Sequence, residues 1–465
     1  MIRYAWQRRR YAWLAAALAG PALGAIAPLP AGLSRSGAIS LGVFAMAVVL
    51  WVSGAIPLAV TGLLILAALP LFGAMSPAQA FPLFGNPAVF FILGALVLAA
   101  ALMTTGLSRR VSLFLLLRFG GSARRLATGI LLTCALLSCV MPEHAVAAIV
   151  FPTVSTISRA LGLEPRKSRL APLLYLSMAW GCIAGGIATL LGGARAALAI
   201  GILKETTGRD LDFVGYSAAA VPVALVLVGV AVVVLNLFYK PEIDDVTPAR
   251  VQLEREINEA GPWSRSEIKT AAVTALSIIA WIAFGHSVGL ATLSLLCASA
   301  LFALGVVSWS EIEQAVNWGV FLLYGGAIAM GSALTRTGAT KWLAAQVLGG
   351  LPASPWLVLA VLGALTLVLT EFISNAAAVA VLLPLALSVT PRYGLDPVLV
   401  MVSVAVPAGL AYTLPVGAPP SAIAFSSGYY EVRQVAVPGV IMTLASFVAF
   451  VAAAWLLWPH LPWFG

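Results

Sequence analysis

Apolar runs of about twenty residues recur along this chain, and that is the length a helix needs to cross a hydrocarbon layer of about 30 Å. They lie near 11–30, 37–56, 58–75, 87–106, 170–204, 213–239, 268–285, 287–305, 318–338, 395–430 and 434–458. None alternates apolar and polar residues as a barrel strand does, so the runs read as helices. Composition removes the alternative of several soluble domains. Of 465 residues, 61% are apolar and only 9% charged, with a mean hydropathy of +1.02. So few charges cannot cover soluble domains. The expected fold class is an all-α polytopic membrane protein. Disordered, secreted and soluble nucleotide-binding classes fall away with the same figures.

The net charge of +9 would suggest nucleic acid in a soluble protein. Here Lys and Arg mark loops on the cytoplasmic side, and no nucleic-acid partner is expected. Cys134, Cys139, Cys182 and Cys297 all sit in apolar runs without CxxC spacing and read as packing residues. The start, MIRYAWQRRR followed by YAWLAAALAGPALGAIA, has the outline of a signal peptide. Its apolar run is long for one and more spans follow at once, so an uncleaved first span is expected.

Four apolar stretches are not plain spans. The runs 170–204 and 395–430 are too long for one crossing and are interrupted by Gly and Pro clusters. The stretches 126–163 and 354–390 carry polar breaks at their middles, as expected of helical hairpins that enter the bilayer and turn back. Charge orients this scheme. With the N-terminus in the cytoplasm, Arg35, Lys204, Arg209, Arg336, Lys341 and Arg392 fall outside, Arg195 falls within the membrane, and the rest of the 26 Lys and Arg fall inside. That asymmetry follows the positive-inside rule and puts the C-terminus outside. The only long polar stretch, 240–269, reads as a cytoplasmic connector, with VQLEREINEA as an amphipathic surface helix.

The two halves match at a fixed offset. LGALVLAAALMTTG (93–106) falls on YGGAIAMGSALTRTG (324–338) with a step of 232, which also carries Pro152 onto Pro384. GIATLLGGARA (186–196) falls on AYTLPVGAPPS (411–421) with a step of 225. Matching segments start on opposite sides of the membrane. That is an inverted-topology repeat, an architecture of secondary transporters whose binding sites lie at the paired breaks. The expected organisation is 1–80 as N-terminal scaffold helices, 81–239 as the first repeat, 240–267 as the connector and 268–465 as the second repeat.

The breaks carry the chemistry. The second hairpin reads LTEFISNAAAVAVLLPLAL (369–387) and the second broken helix AYTLPVGAPPSAIAFSSGY (411–429). Carbonyls with Asn, Ser and Thr oxygens suit a small hard cation such as sodium, and free amides at half-helix N-termini suit an anion. The bland alternative is a pair of kinked spans with small-residue packing faces.

SN-A-A-x-A ending in LP, followed later by LPxGAPPSAI, resembles the divalent-anion/sodium symporter family of dicarboxylate, citrate and sulfate transporters, within the wider ion-transporter superfamily. The resemblance covers roughly 85 to 460. It implies an eleven-span protomer with two re-entrant hairpins and two broken helices, usually a homodimer in the inner membrane. It also implies elevator-like transport of di- or tricarboxylates or sulfate, with sodium as coupling ion or by exchange. Carried over by position, a cation site would use Thr370, Asn375, and the backbone at Ile373 and Gly417, with Ser138 as the surviving ligand position of the first half. An anion site would use Ser374, Asn375, Ala418, Pro419 and Ser421.

The family pattern is not kept throughout. Ala376 replaces the Thr after Asn, and Ser421 the Asn after Pro-Pro. In the first half, Pro142-Glu143-His144 stands at the S-N-T position and Gly193-Ala194-Arg195-Ala196 at the T-P-P-N position. Three ionisable residues at breaks are costly inside a membrane and suggest function. Arg195, paired with Glu143, would stand in for a bound cation. Alternatively, Glu143 or His144 would carry a proton, or Arg195 would bind the anion directly. A purely structural ion pair is the remaining alternative. The functional alternatives are a proton-coupled permease or exchanger, a channel, an arsenite permease and a sodium/proton antiporter. No enzyme is expected, since HExxH, GxSxG and P-loop patterns are absent.

Overall fold

The computed structural model describes residues 2–119, 121–347 and 354–464. Every described element is helical, and no strand occurs among the described residues. Each expected apolar run forms helix. Six described helices are long and apolar enough to cross a membrane: Arg35–Ser53, Pro77–Thr104, Phe213–Phe238, Arg265–Val288, Trp318–Arg336 and Val432–His460. Shorter apolar helices include Leu58–Leu71 and Leu290–Ala303. Ile2–Ile26 packs against Arg35–Ser53.

The interruptions fall where Gly and Pro cluster. The first broken helix consists of Leu170–Gly186 and Ala194–Thr207, joined by 187–193. The second consists of Pro397–Ala405 and Pro419–Ser426, joined through 406–418 with a short 3-10 turn at Pro407–Gly409. Proline cannot donate an N–H within a helix but suits the first turn, and Pro419 opens its helix in that way.

The first hairpin pairs Ala123–Ser138 with Glu143–Ala160, and the second pairs Pro355–Thr370 with Asn375–Ser388. Ser122 caps the first arm at Arg125 N, and Ser374 caps the last at Ala377 N, 3.2 Å away. Ala123–Ser138 lies along Leu170–Gly186 through a glycine face. A Cβ on Gly185 would sit 2.1 Å from the Ala135 carbonyl oxygen, a backbone atom that cannot give way. Small residues at these positions let the hairpin arm and the broken helix approach backbone to backbone.

The polar connector forms the helix Thr247–Glu259, as its amphipathic pattern predicts. Its Glu256 takes Arg109 at 2.9 Å, and the helix also packs on Glu143–Ala160. Beyond it, Arg110 is buried and fully engaged, donating to Glu267 at 2.6 Å and to the carbonyls of Gly261 and Ala260.

Candidate functional site

The two hairpin tips and the two breaks converge. Glu143 starts the second arm of the first hairpin, behind Pro142, and its backbone N–H donates to the Gly192 carbonyl of the first break at 2.9 Å. Its carboxylate is buried and shared. Oε2 accepts from Arg195 Nη1 at 3.2 Å, and Oε1 accepts from Asn375 Nδ2 at 3.2 Å. Glu143 and Asn375 are 232 residues apart, the offset of the repeat, so equivalent positions of the two hairpins touch.

Asn375 continues the chain of bonds. Its Oδ1 accepts from the Thr370 hydroxyl at 2.8 Å, and the same hydroxyl lies 2.7 Å from the Ala408 carbonyl oxygen. One hydroxyl proton cannot serve both acceptors fully. Three neutral oxygens within this distance form the donor set that a small hard cation prefers. The sequence pointed to Thr370 and Asn375; Ala408 was not foreseen.

Arg195 is the second residue of Ala194–Thr207 and is 3% exposed. Its guanidinium lies between the two breaks. A Cβ on Gly193 would come 2.1 Å from Nη1, and one on Gly409 would come 2.1 Å from Nη2. A side chain at either position would force the guanidinium to shift. Arg195 Nε and Nη2 are buried without an acceptor among the described residues. Tyr216, Tyr324 and Tyr412, all buried, lie within electrostatic reach of both Glu143 and Arg195.

The second tip holds one residue that sequence reasoning missed. Glu371 is buried and accepts from the backbone N–H groups of Tyr412 (3.0 Å), Thr413 (3.0 Å) and Leu414 (2.9 Å), with the Thr443 hydroxyl at 3.4 Å. It holds the unwound segment by the amides that helix would otherwise have used. The signal was present, since a carboxylate inside an apolar hairpin is as conspicuous as Glu143.

A cavity of about 310 Å³ opens at this second break. It brings together Ile373, Ser374, Gly417, Ala418 and Pro419 from the expected sites, facing Trp51–Gly54 and Leu58. The remaining expected residues stand apart from it. Ser138 and Ser421 are buried; among the described residues the Ser421 hydroxyl has no partner and that of Ser138 meets only the Cys182 thiol. His144 is half-buried and outside the Thr370–Asn375–Glu143–Arg195 chain. A larger cavity of about 680 Å³ shares no lining residue with the smaller one. It runs from Lys204, Asp210 and His286 to Leu190, beside the first break.

The family described as "Sodium:sulfate symporter transmembrane region" matches residues 8–464. The chain belongs to the sodium:sulfate symporter family. It is thus a membrane transporter and not an enzyme. Among similar proteins is the sodium-dependent dicarboxylate transporter SdcS of Staphylococcus aureus, 26% identical over 449 residues, covering 90% of this chain and 86% of the relative. SdcS of Staphylococcus saprophyticus is 27% identical over the same shares. Two solved structures share the fold. The YdaH transporter of Alcanivorax borkumensis has a TM-score of 0.57 at 12% identity, over 83% of this chain and 88% of its own. MtrF of Neisseria gonorrhoeae has a TM-score of 0.54 at 14% identity, over 81% and 82%.

Proposed function

We propose that this symporter-family chain is a secondary active transporter of small anions that couples them to sodium at a single site in its second half. The observation that carries this reading is the shared carboxylate of Glu143, held by Arg195 on one oxygen and by Asn375 on the other. The Arg195 guanidinium already meets the Glu143 carboxylate at the first break, where a second cation would otherwise sit. The sodium site is the oxygen cluster of Thr370, Asn375 and the Ala408 carbonyl, with Ile373 and Gly417 lining the adjoining cavity. The anion approaches through that cavity, past Ser374 and the turn at Ala418 and Pro419. The names of the relatives support sodium as coupling ion and a carboxylate as cargo.

In this reading the N-terminus is cytoplasmic, the C-terminus is outside, and the protein works as a homodimer in the plasma membrane. The hairpins and broken helices shift together against the flanking helices, as in an elevator. Their mutual hydrogen bonds support movement as one body. Uptake of labelled anions into proteoliposomes tests the coupling. Uptake should rise with an inward sodium gradient, and Thr370→Ala should raise the sodium concentration needed. Equal uptake with choline in place of sodium would refute it.

A further inference from the structure

Resting on that transporter reading, we propose that Glu143 is a tethered carboxylate that fills one half of the anion site, so that the cargo is a small oxyanion with a single negative charge. Glu143 and Asn375 occupy equivalent places in the two repeats, yet one is an anion and the other an amide. The donors that a carboxylate of the cargo would seek between the tips are Arg195 Nη1 and Asn375 Nδ2. Each already gives one N–H to Glu143, whose carboxylate stands between them. The other donors of Arg195, Nε and Nη2, have essentially no accessible surface and abut Gly409. No oxygen of a cargo molecule reaches them without displacing the break.

Charge leads to the same result. Glu143 and Arg195 sum to zero. Glu371 is held by three backbone amides and the Thr443 hydroxyl rather than by a cation, so it adds negative charge at the second break and further disfavours a doubly charged cargo. The Thr370, Asn375 and Ala408 oxygens are neutral, so one sodium there offsets one negative charge. A second charge on the cargo would be buried without compensation, which is costly in a low-dielectric interior. The open cavity is also poor in donors. Pro419 and Pro420 have no N–H, and the side-chain donors lining the cavity are neutral: the Ser53 and Ser374 hydroxyls and the Trp51 indole N–H.

The test uses the purified full chain with sodium, near neutral pH. Lactate, pyruvate and formate are compared with succinate, citrate and sulfate, first by thermal shift and then by uptake into proteoliposomes whose potential is clamped with potassium and valinomycin. The expected result is stabilisation by singly charged anions, with uptake that is independent of potential and moves one sodium per anion. Glu143→Gln should shift relative affinity toward succinate by about tenfold or more, because a like charge has been removed from the site. Wild-type uptake of succinate or sulfate as the dianion would overturn the proposal, whether or not the variant folds. So would unchanged preference in a folded Glu143→Gln protein. If no anion of either charge shifts or moves, the transporter reading itself falls, and this proposal with it.

Discussion

The two breaks solve one problem with opposite polarity. In the first half, donors reach carbonyls: Thr189 donates its hydroxyl to the Cys139 carbonyl at 2.6 Å, and Glu143 N–H donates to Gly192. In the second half the carboxylate of Glu371 collects the amides of 412–414. Cys139 and Glu371 are equivalent by the repeat, as are Thr189 and Leu414. The same contact between tip and break is thus made twice with different chemistry. The outcome differs as well. Glu143 and Arg195 are 4% and 3% exposed, whereas Phe372 and Val416 beside the second break are 67% and 73% exposed. The first break holds a buried ion pair, and the second holds a carboxylate met by backbone amides beside an open cavity. An inverted repeat fixes backbone geometry, and each half remains free to carry its own electrostatics.

Breaking the charged half should have the largest effect. Glu143→Ala leaves Arg195 buried without its carboxylate and should cost roughly 3–5 kcal/mol, while Glu143→Gln/Arg195→Gln should cost clearly less than the two single changes together. Thermal or denaturant unfolding of the purified proteins measures this, and additive losses would mean that the pair is not coupled. Gly409→Ala thrusts a methyl at the guanidinium and should cost about 1–3 kcal/mol while abolishing transport. Unimpaired uptake by that variant would show that Arg195 can move aside. At the second break, Glu371→Gln exchanges charge-assisted bonds for neutral ones and should cost about 1.5–3 kcal/mol. Faster amide exchange at 412–414 should accompany that loss. The smallest effect is expected at Ser138, whose hydroxyl meets only the Cys182 thiol among the described residues. Ser138→Ala should leave stability within about 0.5 kcal/mol and sodium dependence unchanged. A raised sodium requirement there would restore a cation site to the first half and blunt the contrast between the halves.

The sequence announced its helices because apolar run length is a property of single segments. It announced the breaks because Gly and Pro act locally, and the repeat because 94 and 326, or 152 and 384, can be compared without a fold. The pairing of Glu143 with Arg195 was a spacing argument that the structure bears out at 3.2 Å. What stayed hidden depends on three-dimensional meeting. Ala408 contributes through a carbonyl, which no side-chain pattern reveals. Gly409 matters because Arg195 from the other half rests on it. Glu371 reads as an ordinary charge until the amides it gathers are in view. Ser138 shows the converse, since its place in the repeat is right but its hydroxyl meets no oxygen or nitrogen partner among the described residues, only the Cys182 thiol.

The linker between the repeats is not slack. Glu242 binds the Ser168 hydroxyl and the backbone amides of Arg169 and Leu170, capping the first broken helix. The helix Thr247–Glu259 then lies across both Leu107–Leu117 and the first hairpin. Under the elevator movement proposed above, a segment anchored to both Leu107–Leu117 and the first hairpin would behave as a gauge. Its tension, read from proteolysis or from a fluorophore on its exposed face, would report which way the transporter faces without any probe entering the membrane.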